Sequence, residues 1–472
     1  TKTFQKIIGF GGAFTESSAY TLSKMDPLKR QEVLEAYFDK NKGLNYNIGR
    51  VHIHSCDFSL ENFTYVEDFD KDLKTFSIKR DFKWVIPMIK DAEKIAGHKI
   101  ELLASPWSPP AWMKSNNDMN HGGVLLPEYY QAWANYYVKF IDEYTKNGLD
   151  VFSITVQNEP AAVQVWDSCI YSAEQERDFV KHYLGPTLKE KYPEVKIIIW
   201  DHNRDIIVER ADTVLKDKEA RDYVWGTGLH WYVNEDFENL TTLHNLHPDK
   251  HILFTEGCQE GGVHLGSWLT GERYARNMIG DFNNYCEGYI DWNLTLDETG
   301  GPNHVGNLCD APIISDTKEG KIHYNSSYYY IGHFSKHIQP GALRTFSKCE
   351  NKDLKTVSFK ERKIEMKRTY NKREIITDTS FDFTKQRIQY QIQYQGNGKA
   401  PDKRFDRSTQ GLCLFIYPSG VKVFCAIKKF SMYNKIKNRT EKNAVYKKIF
   451  RMEDHPQRDC PHGSCLAVFD QW

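Results

Sequence analysis

The sequence predicts a (β/α)8 barrel, the TIM-barrel fold, and three observations favour this fold. Short β-rich runs alternate along the chain with longer segments of helical period, which is the pattern of a parallel sheet with helical crossovers. Eight such runs can be recognised, enough to close a barrel. An open doubly wound sheet would normally carry a G-x-G-x-x-G loop after an early strand. Here Gly9–Gly12 reads Gly-Phe-Gly-Gly, and no helix start closely follows it.

The eight predicted strands occupy the first 300 residues. They are Gly9–Phe14, Tyr46–Ser55, Lys99–Trp107, Val151–Asn158, Lys196–Asn203, Gly226–Tyr232, His251–Gly257 and Gly288–Leu296. Predicted helices follow strands two to eight, at Arg80–Ala96, Pro127–Asn147, Ala173–Lys191, Asp205–Lys218, Phe237–His247, Gly271–Tyr285 and Tyr328–His337. Right-handed crossovers of this kind bring the strands into one parallel barrel. We assign residues 1–340 to the barrel and residues 341–472 to a C-terminal region.

Composition excludes several classes of protein. The 472 residues hold 63 Lys+Arg against 63 Asp+Glu, whereas nucleic-acid-binding proteins usually show a basic excess. No apolar run reaches the roughly 18 residues that a membrane-spanning helix needs. The chain begins at Thr1 without Met or an apolar signal run, so it reads as processed, trimmed or incomplete. The compartment stays open on this evidence, with a secreted or other extracytoplasmic location favoured.

We expect no cofactor and no metal ion. The ten cysteines are scattered and form no disulfide framework for a chain of this size. A cluster of zinc-ligand residue types lies near the end of the chain, at His455, Cys460, His462 and Cys465. Its Cys-x4-Cys spacing with interleaved histidines is not a standard zinc-finger pattern.

Carboxylates, amides and aromatic side chains gather at the predicted strand ends, where barrel enzymes carry their active residues. Taken in chain order, these residues are Arg50, Asp57, Trp107, Asn158, Glu159, His230, Tyr232, Glu256, Trp292 and Asn307. A structural protein would have little reason to place so many polar groups on one face. The pattern therefore predicts an active site at this end of the barrel.

Glu159 and Glu256 are the candidate catalytic pair. They end the fourth and seventh predicted strands, which face each other across the mouth of an eight-stranded barrel. Retaining glycosidases need two carboxyl groups roughly 5–5.5 Å apart. The alternative is that each glutamate belongs to a buried structural ion pair. We expect Arg50 to hold Glu256 ionised, and burial to raise the pKa of Glu159.

An ordered set of motifs resembles glycoside hydrolase family 30, the family of the glucosylceramidases. The motifs are Gly9-Phe-Gly-Gly-Ala-Phe-Thr-Glu, Tyr46-Asn-Ile-Gly-Arg-Val, Ser55-Cys-Asp-Phe-Ser, Leu103-Ala-Ser-Pro-Trp-Ser, Gln157-Asn-Glu-Pro, His230-Trp-Tyr, Thr255-Glu-Gly-Cys, Asp291-Trp-Asn-Leu, Gly300-Gly-Pro-Asn and Gly332-His-Phe-Ser-Lys. The resemblance implies a retaining β-glucosidase with Glu159 as acid/base and Glu256 as nucleophile. It places Asp57, Trp107, Asn158 and Trp292 around the sugar, and matches His230, Tyr232 and Asn307 to further site positions.

The resemblance implies a β-glucoside, glucosylceramide or β-glucan as substrate, and it leaves alternatives open. The same family barrel serves endo-β-1,6-glucanases and other β-glycosidases. A carbohydrate-binding protein that has lost catalysis is the alternative from another class. Leu308 stands where glucosylceramidases prefer an aromatic residue, so the leaving group stays undecided.

The C-terminal region departs from the family pattern. Family members carry a side β-sandwich, but few residues precede Gly9 and the expected strands do not continue recognisably after about Phe359. From about Glu361 the sequence is irregular and rich in Lys and Arg. Gln386–Tyr394 and Gly411–Ile427 still look like strands. We predict a region that is partly β or disordered and contributes nothing to the catalytic centre.

Overall fold

A computed structural model describes residues 2–349 and 354–360, and the backbone of three further strands at 411–416, 421–427 and 467–468. The first strand, β1 (Thr3–Lys6), lies outside the barrel. Eight parallel strands then close into a barrel: β2 (Gly9–Ala13), β3 (Ile48–Ile53), β4 (Glu101–Pro106), β5 (Asp150–Thr155), β6 (Lys196–Asn203), β7 (Val224–His230), β8 (His251–Glu256) and β9 (Gly288–Asn293). The predicted (β/α)8 fold is confirmed, and each predicted strand contributes one barrel strand.

Helices surround this barrel. They are α1 (Glu16–Ser23), α2 (Pro27–Phe38), α3 (Val85–Ala96), α4 (Tyr130–Lys146), α5 (Ala173–Phe179), α6 (Gly185–Lys191), α7 (Ile207–Leu215), α8 (Lys218–Arg221), α9 (Glu238–Leu246), α10 (Trp268–Asn283) and α11 (Ser326–Ser335). Each of the seven predicted helices overlaps one or more of them. Within the residues that the structure describes, no helix is long and apolar enough to cross a membrane.

The expectation that no helix starts soon after the first barrel strand is wrong. Thr15 caps α1, since its hydroxyl accepts a hydrogen bond from the backbone N–H of Ser18 at 3.1 Å. The first turn of α1 buries Glu16 and Ser17 among polar partners. The helix therefore lacks the apolar 3.6-residue period by which amphipathic helices are recognised in sequences.

Two layers fill the barrel interior. Five aliphatic side chains, one from each of five strands, form an apolar layer: Ile48, Leu103, Ile198, Leu253 and Ile290. Since alternate residues of a strand share one face, the next inward positions on four of these strands belong to Arg50, Ser105, Thr255 and Trp292. All four are buried. The sequence thus seals one end of the barrel with hydrocarbon and leaves a polar layer toward the carboxyl ends of the strands.

A six-stranded side sheet stands beside the barrel. Its order is β1, β13 (Leu343–Thr345), β14 (Leu354–Lys360), β16 (Val421–Ile427), β15 (Gly411–Ile416) and β17 (Ala467–Val468). The predicted strand-like run at 411–427 supplies two of these strands. Phe359 packs edge-on against Phe282 of α10, with ring centroids 5.5 Å apart, and so ties the sheet to the barrel.

A smaller three-stranded sheet follows β9 and consists of β10 (Thr295–Leu296), β11 (Ile313–Asp316) and β12 (Lys321–Tyr324). The predicted run Gln386–Tyr394 and the cysteine and histidine cluster at 455–465 lie outside the described residues. The domain boundary near residue 340 stays a prediction.

Candidate active site

A pocket of about 230 Å³ opens at the carboxyl ends of the barrel strands. Sites that enclose drug-sized ligands usually measure roughly 300–1,000 Å³, so this volume suits a single small ring. Eight of the ten site residues predicted from the sequence line it: Asp57, Trp107, Asn158, Glu159, Tyr232, Glu256, Trp292 and Asn307. The other two, Arg50 and His230, are fully buried behind the pocket wall. They act on the pocket only through the pocket-lining side chains to which they are hydrogen-bonded.

Arg50 lies at the centre of the polar layer and donates to five acceptors, three of them at 2.9 Å or less. Its Nη1 donates to Oε2 of Glu256 at 2.6 Å, and its Nη2 donates to Asn158 Oδ1 at 2.9 Å and Asp201 Oδ2 at 2.8 Å. The guanidinium carbon also lies 4.8 Å from the ring centroid of Trp107. Because the planar fork fixes all these partners at once, Arg50 orients one carboxylate and one amide at the pocket floor.

Glu159 is held in a rare backbone conformation four residues after the end of β5. Its φ of 49° lies in the left-handed region, which is uncommon for residues other than glycine. Its backbone N–H donates to the carbonyl of Asp201 at 3.0 Å. Its Oε1 lies 3.1 Å from Nδ1 of His230 and 3.7 Å from Nε2 of His202. The turn thus aims the carboxyl group at two imidazole rings.

Glu256, the last residue of β8, faces Glu159 across the pocket. The Tyr232 hydroxyl donates to its Oε1 at 2.9 Å, and Arg50 binds its other oxygen. Carboxylate oxygens of the two glutamates and a ring nitrogen of His230 all lie within 4.8 Å of one another. A separation this short leaves room for one reacting bond between the carboxyl groups.

The pKa shifts of the two carboxyl groups run opposite to the sequence-based expectation. Burial alone would raise the pKa of Glu159, but His202 and the hydrogen bond from His230 outweigh it and leave the pKa below the ordinary value. Burial raises the pKa of Glu256, although His230 and Arg50 act against it. The expected order of protonation is therefore wrong for the protein without substrate. The two histidines that cause the difference were not foreseen as partners of Glu159.

His230 lies between two carboxylates, those of Asp201 and Glu159. Its Nε2 lies 3.0 Å from Asp201 Oδ1, while its Nδ1 faces Glu159. Burial lowers the pKa of His230, but the charge of Glu256 and the hydrogen bond to Asp201 outweigh it and raise the pKa to about 9. An imidazolium donates from both nitrogens and has no lone pair for a metal. Glu159, His230 and Glu256 form the one grouping in the described part of the chain that could ligate a metal, and this protonation favours proton transfer there instead.

Aromatic and amide side chains complete the pocket wall. Trp107 and Trp292 stack on each other with ring centroids 5.2 Å apart and an interplanar angle of 21°. Asp57 accepts from the side-chain amides of Asn303 at 3.3 Å and Asn307 at 3.2 Å. Burial, with the charge of Glu256 nearby, raises the pKa of Asp57 to about 7. Flat rings and hydrogen-bonding groups together suit a sugar, which has apolar faces and a polar edge.

Sequence reasoning missed several residues of the site. Asp201 is fully buried and joins Arg50, His230 and Thr255, whose hydroxyl donates to it at 2.6 Å. Its signal was present, because it stands near the end of the predicted strand Lys196–Asn203. The unforeseen pocket-lining residues are Gln164, Trp166, His202, Asn203, Cys258, Glu260 and Cys309. Most lie on loops after the strands, where the sequence has no hydrophobic periodicity that would identify them.

The chain is similar to known glycosidases along most of its length. The profile of the Glycosyl hydrolase family 30 TIM-barrel domain matches residues 7–338. Putative glucosylceramidase 3 of Caenorhabditis elegans is 41% identical over 369 residues, which are 74% of this chain and 70% of the relative. The lysosomal acid glucosylceramidase of Mus musculus is 38% identical over 377 residues, covering 76% of this chain and 73% of the relative.

A solved structure of an endo-β-1,6-glucanase superposes with a TM-score of 0.71 at 30% identity. The match covers 76% of this chain and 83% of the glucanase. The barrel that carries the pocket is therefore similar to proteins named glucosylceramidase and to one named endo-β-1,6-glucanase.

Proposed function

The chain belongs to glycosyl hydrolase family 30 and is a β-glycoside hydrolase, and from that premise we propose a retaining β-glucosidase of the glucosylceramidase type. Glu256 serves as the nucleophile and Glu159 as the acid/base. The observation that carries this proposal is the approach of the two carboxyl groups to within 4.8 Å. Retaining enzymes place the pair roughly 5–5.5 Å apart, whereas inverting enzymes need roughly 6.5–9.5 Å for an intervening water.

In the proposed first step, Glu256 attacks the anomeric carbon while the bond to the leaving oxygen breaks. Glu159 protonates that oxygen, and a glycosyl ester forms on Glu256. In the second step, Glu159 removes a proton from water, which attacks the anomeric carbon and releases Glu256. Arg50 and the Tyr232 hydroxyl bind the two oxygens of Glu256, so they present it in a fixed orientation and stabilise it as a leaving group in this second step.

The proton for the leaving group comes, in this proposal, through His230. The cluster contains two cations, Arg50 and His230. It also contains three carboxylates, those of Glu159, Asp201 and Glu256. When every carboxylate is ionised, the cluster therefore carries one net negative charge. Nδ1 of His230 lies 3.1 Å from Glu159 and 4.0 Å from Glu256. A sugar that displaces water from Glu159 raises its pKa by desolvation. The same ring nitrogen can then pass a proton to Glu159 as the sugar binds.

The sugar is held by the residues that the sequence placed in the first subsite. Trp107 and Trp292 offer a stacked aromatic wall, and Asn158 and Asp57 supply hydrogen-bonding groups at the pocket. Asn307 already donates to Asp57 at 3.2 Å and holds that carboxyl toward the ring. We assign glucose as the sugar, in keeping with the two relatives named glucosylceramidase.

Exposed aliphatic side chains favour a lipid leaving group. Val163 and Val165 are 61% and 57% exposed, and they alternate with the pocket-lining Gln164 and Trp166. Val233 is 61% exposed and follows Tyr232 directly, and Leu265 is 52% exposed on the loop after β8. Exposed aliphatic residues on three loops beside one pocket suit the hydrocarbon of a ceramide.

An endo-β-1,6-glucanase is the second candidate, because the pocket also carries polar side chains. Gln164, Asn203 and Glu260 line it, and these groups could bind the hydroxyls of a second glucose. Leu308, which the sequence singled out for the leaving-group side, is not among the described lining residues. It therefore does not decide between the two candidates.

A hydrolysis panel tests the proposal. The chain is assayed on an aryl β-glucoside, on glucosylceramide in detergent and on a β-1,6-glucan, and the anomer released first is followed by NMR. We expect the β anomer of glucose, and faster release from glucosylceramide than from the glucan. Val163→Ser with Val165→Ser should slow only glucosylceramide, while a matched change at the distant Leu28, which is 77% exposed, should slow nothing. First release of the α anomer would overturn the retaining mechanism, and preference for the glucan would replace the first candidate by the second.

A further inference from the structure

Two cysteine side chains meet in the wall of the active-site pocket. Cys258 lies two residues after Glu256, and Cys309 lies two residues after Asn307. Both line the pocket and both are only 3% exposed. The two residues belong to the same buried cluster in the pocket wall. Neither residue has a place in the hydrolytic steps above.

The backbone already joins the loops that carry these thiols. Glu260 and Cys309 form an antiparallel bridge, and the N–H of Asp310 donates to the carbonyl of Gln259 at 2.8 Å. A disulfide requires sulfurs at about 2.05 Å and Cα atoms that stay close together. Because the loops are already paired beside the thiols, the sulfurs can approach with little movement of the chain.

The position of Cys258 connects this pair to catalysis. Its sulfur lies 3.5 Å from the hydroxyl oxygen of Tyr232, and that hydroxyl donates to Oε1 of Glu256 at 2.9 Å. A bond to Cys309 would draw the sulfur away from Tyr232. It would also fix the loop that carries Asn307, whose carbonyl accepts from the Cys309 thiol at 3.9 Å.

We propose that Cys258 and Cys309 are a redox-sensitive thiol pair that hydrogen peroxide converts to a disulfide, and that this disulfide switches off glycoside hydrolysis. One thiol sulfur attacks the peroxide, giving a sulfenic acid and water. The second sulfur then displaces the hydroxyl group, the S–O bond breaks, and the S–S bond forms as a second water leaves. The two sulfurs lose two electrons in total, and the peroxide is reduced to two waters.

The environment of the pair also sets its reactivity. The neighbouring thiol of Cys309, together with burial, raises the pKa of the Cys258 thiol well above its ordinary value. Since the thiolate is the reactive form, the reaction should be slow at neutral pH and faster in alkaline solution. Dithiothreitol should reverse it.

The test uses the full chain, reduced, desalted and then treated with peroxide under native conditions. A non-reducing peptide map should show Cys258 linked to Cys309, and activity on an aryl β-glucoside should fall at least tenfold and return on reduction. For each variant the readout is its own ratio of reduced to oxidised activity. That ratio should approach one for Cys309→Val, and stay as in the unmodified chain for Cys286→Ser, whose buried thiol donates to the carbonyl of Gly288.

Absence of the linked peptide, a linked chain with full activity, or equal inactivation of Cys309→Val would each overturn the proposal. If Cys309→Val does not fold, Cys309→Ser takes its place. The inference rests on the proposed function only for its activity readout. The peptide map needs no turnover, so failure to form the disulfide and failure of the proposed activity are seen separately.

Discussion

Nδ1 of His230 lies 3.1 Å from Oε1 of Glu159, while its other nitrogen lies 3.0 Å from Asp201. The ring therefore carries its proton between fixed carboxylates, and its pKa rises to about 9 from an ordinary 6.5. A raised pKa means that the folded state favours the protonated ring. This contribution to stability is fully present below pH 6.5 and is lost as the pH rises through about 9.

His230→Gln should remove this pH dependence. The thermal midpoint of the unmodified chain should fall by a few degrees between pH 7 and 9.5, and that of the variant should fall less over the same range. Parallel curves measured by differential scanning calorimetry would show that the ring does not carry the proton. Activity on substrates with poor leaving groups should drop more in this variant than activity on activated aryl glucosides.

Glu256→Gln should abolish turnover of aryl β-glucosides without unfolding the barrel. The amide cannot attack the anomeric carbon, but it keeps the size of the side chain. A 2-deoxy-2-fluoro glucoside with a good leaving group should label Glu256 covalently, as peptide mapping would reveal. The matched control is Glu209→Gln, an exposed position on α7, which should keep full activity. A label on any other residue would refute the assignment of the nucleophile.

Glu159→Ala should lose about 10²–10⁴-fold activity on poor leaving groups, the usual contribution of general acid–base catalysis. Activated aryl glucosides need little protonation, so their first step should survive. Azide should then restore turnover by attacking the glycosyl ester, giving a β-glycosyl azide identifiable by NMR. An α-glycosyl azide, or no rescue with any substrate, would argue against a retaining mechanism.

Arg50→Ala should both unfold more easily and lose activity. Removing one partner of a buried ion pair typically costs about 3–5 kcal/mol, and Arg50 here binds two carboxylates, Glu256 at 2.6 Å and Asp201 at 2.8 Å. Arg30, which pairs with Asp91 at the surface, provides the control, since such pairs contribute about 0–1 kcal/mol. Urea unfolding of both variants measures the difference. Equal midpoints would mean that the buried network does not stabilise the barrel.

Removal of residues beyond 360 should leave the pocket intact and weaken the side sheet. Every pocket-lining residue that the structure describes comes before 310, whereas β14 pairs with β16 along seven residues. We expect a truncated chain with unchanged KM, a lower thermal midpoint and a greater tendency to aggregate through its new sheet edge. A changed KM, or loss of all activity in a truncated chain that stays soluble, would show that the tail takes part in the site.

The sequence was most informative where a hydrophobic strand pattern is directly followed by polar residues of the site. Strand β8 contains the continuous apolar run Ile252–Phe254, and the polar residue Glu256 that ends the strand stood out for that reason. The order of protonation could not be predicted, because His202 comes to within 3.7 Å of Glu159 through a bulge in β6. At this bulge, Trp200 and Asp201 take φ values of 71° and 50°. A local irregularity of this kind has no signature in hydrophobic periodicity.

Two short strands of the side sheet could not be predicted for a different reason. The edge strand β1 and the neighbouring strand β13 have only four and three residues, too short for an alternating pattern to be recognised. The partner of β1 is β13, from far along the chain, and pairing over such a sequence distance leaves no local trace.

The left-handed backbone of Glu159, with its φ of 49°, sets the stability of the protein against its activity at this position. Such a conformation costs a residue with a side chain on the order of 1–3 kcal/mol, and glycine adopts it freely. Glu159→Gly should therefore be inactive yet unfold at no lower temperature than the unmodified chain. Directed evolution of this protein for thermostability alone would tend to replace the proposed acid/base residue, so hydrolysis must be measured in every round of selection.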